Sequence, residues 1–299
     1  MTTQNSDALA SLPLTPPLPL PEGCSEAEMM KFFGSLILDG GPRAELENYW
    51  RQDWRRFVYT FGLVSHLEGR CLELGANPYF TTSMLKHFTR LDLTLANYFG
   101  PQYGAEAIQQ VSVTDPRTNR TEHYPMTFVH FNVEEERFPF AERVFDVVLL
   151  CEVIEHLQTD PMRVLLEVKR VLKEDGHLIL TTPNVSRLEN VCRMIAGVNI
   201  YDPYSGYGAY GRHNREYNKH ELVLLLEHCG FTVDTMFSAD VHENPAPFFY
   251  PIARVVDQVW HRRNDLGQYL FTRAKNARPA RSKRPAWLYR SYPEDELAR

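Results

Sequence analysis

The chain has 299 residues, 43% of them hydrophobic and 23% charged, with a net charge of −6 and a pI near 6.0. This is long enough to bury a sizeable core in one large domain or two small ones, with the composition of an ordinary soluble globular protein. The acidic balance argues against a nucleic-acid partner, which needs a concentrated basic face, and the lack of any 18-residue apolar run argues against a membrane span.

In chain order, residues 1–24 read as a disordered leader, because Leu12 to Pro21 holds five prolines that favour an extended, solvated chain. Ser25 then caps a helix to Leu38 carrying Met29, Phe32, Phe33 and Leu36, and a second helix runs from Arg43 to Leu67 with Trp50, Trp54, Phe57, Val58 and Phe61 on one stripe. Strands and helices alternate from there. The predicted strands are 70–74, 91–96, 126–131, 144–150, 177–182, 231–237 and 267–273, and the predicted helices are 81–88, 160–172 and 219–229. This alternation predicts an α/β fold, a Rossmann-like seven-stranded mixed sheet with its last strand inserted antiparallel. Residues 25–66 form an N-terminal helical segment and 67–275 the main domain. Two segments exceed a minimal version of that fold: a protruding hairpin over 109–123, and a Gly- and Tyr-rich insertion over 184–217 placed as a lid. Residues 276–299 read as a basic, solvated tail.

The five cysteines, Cys24, Cys71, Cys151, Cys192 and Cys229, are scattered and odd in number, which fits reduced thiols in a cytoplasmic protein. The start of the chain has no charged segment followed by a long apolar stretch, so no secretory signal is expected. Self-association into a homo-oligomer stays open.

Chemistry concentrates at three places. Glu73-Leu74-Gly75-Ala76-Asn77 ends the first core strand, at the sheet edge where open α/β folds bind ligands; Gly75 lets the backbone approach a ligand and the following helix offers free N–H groups. The fourth strand, FDVVLL, is almost wholly apolar, as when both faces are covered, and leads into Cys151-Glu152-Val153-Ile154-Glu155-His156-Leu157. The insertion ends in Tyr210-Gly211-Arg212-His213-Asn214-Arg215-Glu216-Tyr217. No G-x-G-x-x-G follows the first strand and Asn97, not an acid, ends the second, which lowers a nicotinamide reading.

The ordered set FPF, FDVVLL, CEVIEHL and RVLKEDGHLILTTPN resembles the class I S-adenosylmethionine-dependent methyltransferases, more narrowly the type 11/12 branch, over roughly residues 67–272. GRHNREY resembles methyltransferases of glycan biosynthesis. The resemblance implies S-adenosylmethionine as cofactor. Glu73, Gly75, Ala76 and Asn77 would hold its methionine end, Asn97 its ribose, Asn132 and Val133 its adenine, with Cys151 and Glu152 facing the methionine and methyl. Asn77 stands where the family usually has a second glycine, and Asn97 where it has an acid.

For an alcohol acceptor a base must take the proton, and His213, His156 and Glu155 are the candidates, His213 foremost. Asn184, Tyr207, Tyr210, Arg212, Arg215 and Tyr217 are candidate acceptor-binding residues. Aromatic faces beside Arg and Asn suit a polar ring, so the expected acceptor is a small molecule or saccharide, with O-methylation of a sugar hydroxyl as the reaction. Polyketide, quinone or phenol acceptors, and a non-catalytic cofactor-binding scaffold, remain alternatives. No metal is assigned, since Asp202, His213 and Glu216 match no ligand spacing.

Overall fold

A computed structural model describes residues 15–242 and 265–298. Its centre is a mixed sheet of nine strands in the order β1-β4-β5-β3-β2-β6-β7-β9-β8. These are β1 (Ile37–Leu38), β2 (Glu68–Leu74), β3 (Arg90–Asn97), β4 (Glu106–Thr114), β5 (Thr121–His130), β6 (Phe145–Cys151), β7 (Leu172–Pro183), β8 (Phe231–Ala239) and β9 (Tyr269–Asn276). Strands β5, β3, β2, β6 and β7 run parallel, and β9 inserts antiparallel between β7 and β8. The expected α/β class therefore holds. The sheet exceeds seven strands because the predicted hairpin does not protrude: β4 pairs with β5 from Glu106↔Val129 to Thr114↔Thr121, and β1 pairs with β4, so both extend the sheet edge.

Strand β6 shows why the run Val147 to Leu150 is apolar on both sides. Val147 and Leu149 join one core cluster, while Val148 and Leu150 join the other, because successive strand side chains point to opposite faces. The first face is covered by α1 (Glu26–Gly34), α2 (Arg43–Val64) and α3 (Phe80–Phe88); the second by α4 (Pro161–Val171) and α6 (Lys219–His228). A fifth helix in chain order, α5 (Leu188–Ile195), lies in the insertion. Ser25 caps α1 through a reciprocal pair with Glu28, and the predicted α2 stripe of Trp50, Trp54, Phe57, Val58 and Phe61 is buried, each such side chain contributing about 1.5–3 kcal/mol.

Two expectations at the chain ends differ from what is found. Residues 1–14 of the expected leader lie outside the described residues. Residues 15–24 pack on the domain: Leu18 and Leu20 join the first core, Tyr59 donates to the Pro16 carbonyl at 3.4 Å, and Pro19 lies so close to Gly62 that a Cβ there would stand 2.2 Å from it. The prolines favour an extended chain, and the leucines between them supply the apolar surface that anchors it. The expected basic tail is also folded down. Strands β10 (Arg284–Pro285) and β11 (Leu297–Ala298) pair, and Tyr289 is buried against the second core. Charge counting overlooked the apolar Leu288, Tyr289, Tyr292 and Leu297 among the arginines.

Candidate active site

The chain passes from β2 outward to β5 and returns to β6 on the other side of β2, so the carboxyl ends of β2 and β6 flank a topological switch point. Their register is flush, Leu74 opposite Leu150, which places the bend at Gly75 beside Glu152 and Val153. These residues, with Asn97, Asn132 and His156, line one cavity of about 640 Å³. Gly75 has φ +72°, and a Cβ there would stand 2.9 Å from Val153 Cγ2.

One half of the cavity is amide-rich. Asn97 Oδ1 accepts from the Asn77 N–H at 2.8 Å, and Asn97 Nδ2 donates to Tyr79 Oη at 3.0 Å. The amide thus braces the bend while reaching the cavity wall. Asn132 is buried; its Oδ1 accepts from the Glu134 N–H at 2.9 Å and its Nδ2 donates to Tyr210 Oη at 3.0 Å, tying the insertion to the end of β5. Tyr98 stacks on His130 at 5.2 Å, and the Phe99 N–H donates to His130 Nε2 at 3.0 Å. Tyr98 and Phe99 line the cavity and were missed from sequence, although the aromatic pair directly after a strand-ending Asn was a usable signal.

The opposite half is acidic and basic together. Glu152 adopts φ +55° and its Oε1 accepts from Thr181 Oγ1 at 2.8 Å. Behind it lies Arg56, 5% exposed, 3.8 Å from Glu152 Oε1, donating to Asp53 Oδ1 at 3.2 Å and Tyr49 Oη at 2.6 Å. Arg56 was hidden in the apolar stripe of α2. Burial raises the Glu152 and Glu155 carboxyls, offset in part by Arg56 at Glu152 and by His213 at Glu155, and burial lifts Glu73 to about 7 although Thr82 Oγ1 donates to it at 2.7 Å.

Glu155, wholly buried, accepts from Thr182 Oγ1 through Oε2 at 2.9 Å, while its Oε1 has no hydrogen-bond partner among the described residues, a state that costs about 1–3 kcal/mol when uncompensated. His156 Nδ1 donates to the Arg212 carbonyl at 2.9 Å, since a carbonyl can only accept. His213 Nδ1 lies 2.9 Å from Glu216 Oε1, and the two imidazoles meet edge to face at 5.1 Å. Burial and the neighbouring His213 lower the His156 pKa. For His213, burial works downward, but the Glu216 hydrogen bond and the Glu155 charge outweigh it and raise the pKa.

Of the predicted site residues, Gly75, Asn97, Asn132, Val133, Glu152, His156, Tyr207 and Tyr210 line the cavity. Glu73, Ala76, Asn77 and Cys151 stand directly behind the bend and the β6 end without lining it; the Ala76 N–H donates to the Ala96 carbonyl at 3.3 Å. Glu155 and His213 lie behind His156. Three proposed acceptor contacts point elsewhere: Asn184 Nδ2 donates to the carbonyls of Asp265 and Gly267, Arg215 pairs with Glu221 at 2.8 Å, and Tyr217, 1% exposed, is part of the second core. Arg212 stacks over Tyr204 at 5.0 Å. Asp202 and Glu216 hold His213 by its N–H and its ring. Among the described residues no helix is long and apolar enough to cross a membrane.

The arrangement fits S-adenosylmethionine: a side-chain-free bend, amides at the ends of the two neighbouring strands, and a cavity within the usual size for such ligands. Residues 72–180 match the family described as "Methyltransferase domain". Over 195 residues the chain is 27% identical to proteins of two Mycobacterium tuberculosis strains described as "probable S-adenosylmethionine-dependent methyltransferase"; the match spans 64% of this chain and 58% of the relatives' length. Among solved structures it is similar to the Burkholderia thailandensis 1,6-didemethyltoxoflavin-N1-methyltransferase bound to 1,6-didemethyltoxoflavin and S-adenosylhomocysteine (16% identity, TM-score 0.46, 89% of this chain and 94% of that one). It is also similar to an S-adenosylmethionine-dependent methyltransferase of Archaeoglobus fulgidus (16% identity, TM-score 0.44, 79% and 95%). Residues 72–180 thus match a methyltransferase domain.

Proposed function

We propose that the chain methylates a hydroxyl of a sugar or glycan-like acceptor, with S-adenosylhomocysteine as co-product. The observation that carries this reading is the shared cavity, which the Gly75 bend, Asn97, Asn132, His156 and two tyrosines of the insertion line together. Bound S-adenosylmethionine supplies an activated methyl group, so the chain's task is alignment and proton removal. Gly75, Asn97, Asn132 and Val133 would hold the donor, with Glu152 at its methyl end. Tyr207 and Tyr210 line the cavity while Tyr207 stays 80% exposed and Tyr210 42% exposed, which suits a polar ring entering from solvent.

As the new oxygen–carbon bond forms, the hydroxyl proton leaves towards the Glu155–His156–His213 cluster. His156 is the member at the cavity wall, and with its Nδ1–H committed to Arg212 its Nε2 carries a lone pair. Glu155 and His213 set the charge around it. Incubation of the chain with methyl-labelled donor and a panel of saccharides tests the proposal. Label on a sugar oxygen is the expected result; label only on phenols, quinones or polyketides rejects the sugar acceptor, and a folded chain that labels no acceptor rejects the activity.

A further inference from the structure

We propose that Glu155, His156 and His213 form a binding site for one divalent transition-metal cation of the zinc, manganese, iron or cobalt kind. One ligand atom from each of the three lies within 4.8 Å of the others, and Glu155 Oε1 stands 3.8 Å from His156 Nε2. Ligand atoms around a tetrahedral ion at ~2.1 Å sit roughly 3.4 Å apart, so small side-chain shifts complete the set.

The two atoms shown facing each other, Glu155 Oε1 and His156 Nε2, are unused by other hydrogen bonds among the described residues. Glu155 is wholly buried; its Oε2 is occupied by Thr182, whereas Oε1, the oxygen facing His156, has no hydrogen-bond partner among the described residues. Each imidazole is fixed from outside through Nδ1, His156 by the Arg212 carbonyl and His213 by the Glu216 carboxylate, which leaves both Nε2 atoms free as donors of a lone pair. Glu216 is itself held through its other oxygen by Arg187 and Asn190. An oxygen acceptor behind each ring, anchored in turn, is the outer arrangement that orients metal-binding histidines.

The backbone keeps the two stretches together. The Glu155 carbonyl accepts from the N–H groups of Asn214 at 2.7 Å and Arg215 at 3.1 Å, and Asn214 Nδ2 donates to the His156 carbonyl at 2.8 Å. Two imidazoles with one carboxylate favour a first-row transition ion over magnesium or calcium, which prefer all-oxygen sites. Three protein ligands leave positions open, and His156 places them at the cavity wall. If the proposed reaction is correct, an acceptor oxygen on such a position loses its proton more readily, with the imidazoles acting through the cation. The existence of the site does not rest on that reading.

Cobalt(II) titration of the full-length, chelator-stripped chain tests the site without methyl donor or acceptor. The expected result is saturation at one equivalent with visible ligand-field bands, and at least tenfold weaker binding in His156→Ala and His213→Ala at unchanged circular dichroism. Glu155→Gln should weaken binding similarly; should it unfold, the half-buried His213→Ala decides. A folded wild type that binds no stoichiometric cobalt, or binding unchanged in both histidine variants, overturns the proposal.

Discussion

At Gly75 the requirement is twofold: a left-handed backbone and room beside Val153. Gly75→Val should therefore lower S-adenosylhomocysteine affinity more than tenfold, about 1.4 kcal/mol or above, by calorimetry; wild-type affinity in the variant would refute the role of the bend. His213→Ala should reduce turnover by roughly a hundredfold while leaving cofactor affinity in place, since His213 does not line the cavity; full turnover would remove His213 from the reaction. Single residues were legible in sequence where a motif marks a backbone bend, as at Gly75, or the end of an apolar strand, as at Glu152. They were not legible where the role depends on a distant partner. Asn97 looked like a weakened ribose ligand, yet its amide also supports the Asn77 N–H. Glu155, His156 and His213 were singled out as bases, while their convergence depends on the insertion folding back by backbone hydrogen bonds that no spacing rule reports.

The start of α4 is tied to the C-terminal segment through one carboxylate. Asp160 caps it by accepting from the Arg163 N–H at 3.1 Å, and the same carboxylate receives Tyr289 Oη at 2.6 Å and Arg284 Nη2 at 2.7 Å from the C-terminal segment. Burial alone would raise the Asp160 pKa, but the Tyr289 and Arg284 hydrogen bonds outweigh it and the net direction is down. A carboxylate depressed in the folded state adds stability that is complete above the unfolded value near 3.9 and is lost as pH falls through the folded value. Asp160→Asn should thus cost about 1–3 kcal/mol at neutral pH and flatten the acid limb of the stability profile, measured by denaturant unfolding across pH. An unchanged acid limb would show that the clamp does not hold in solution. Core strands and helices were readable because their periods of two and 3.6 are local properties. The packing of residues 15–24 and of the C-terminal segment was not, because proline and arginine content dominates those stretches while a few leucines and tyrosines decide where they go.

Over the whole molecule, helices on both faces bury a sheet whose strand order reverses beside β2, and that reversal opens the cavity at the carboxyl ends of β2 and β6. The central claim is that this cavity holds the methyl donor. A crystal structure of the full chain with S-adenosylhomocysteine measures it directly. One ligand in contact with Gly75, Asn97, Asn132 and Glu152 is expected; a ligand bound at any other surface, with that cavity filled by solvent, would refute this placement of the donor.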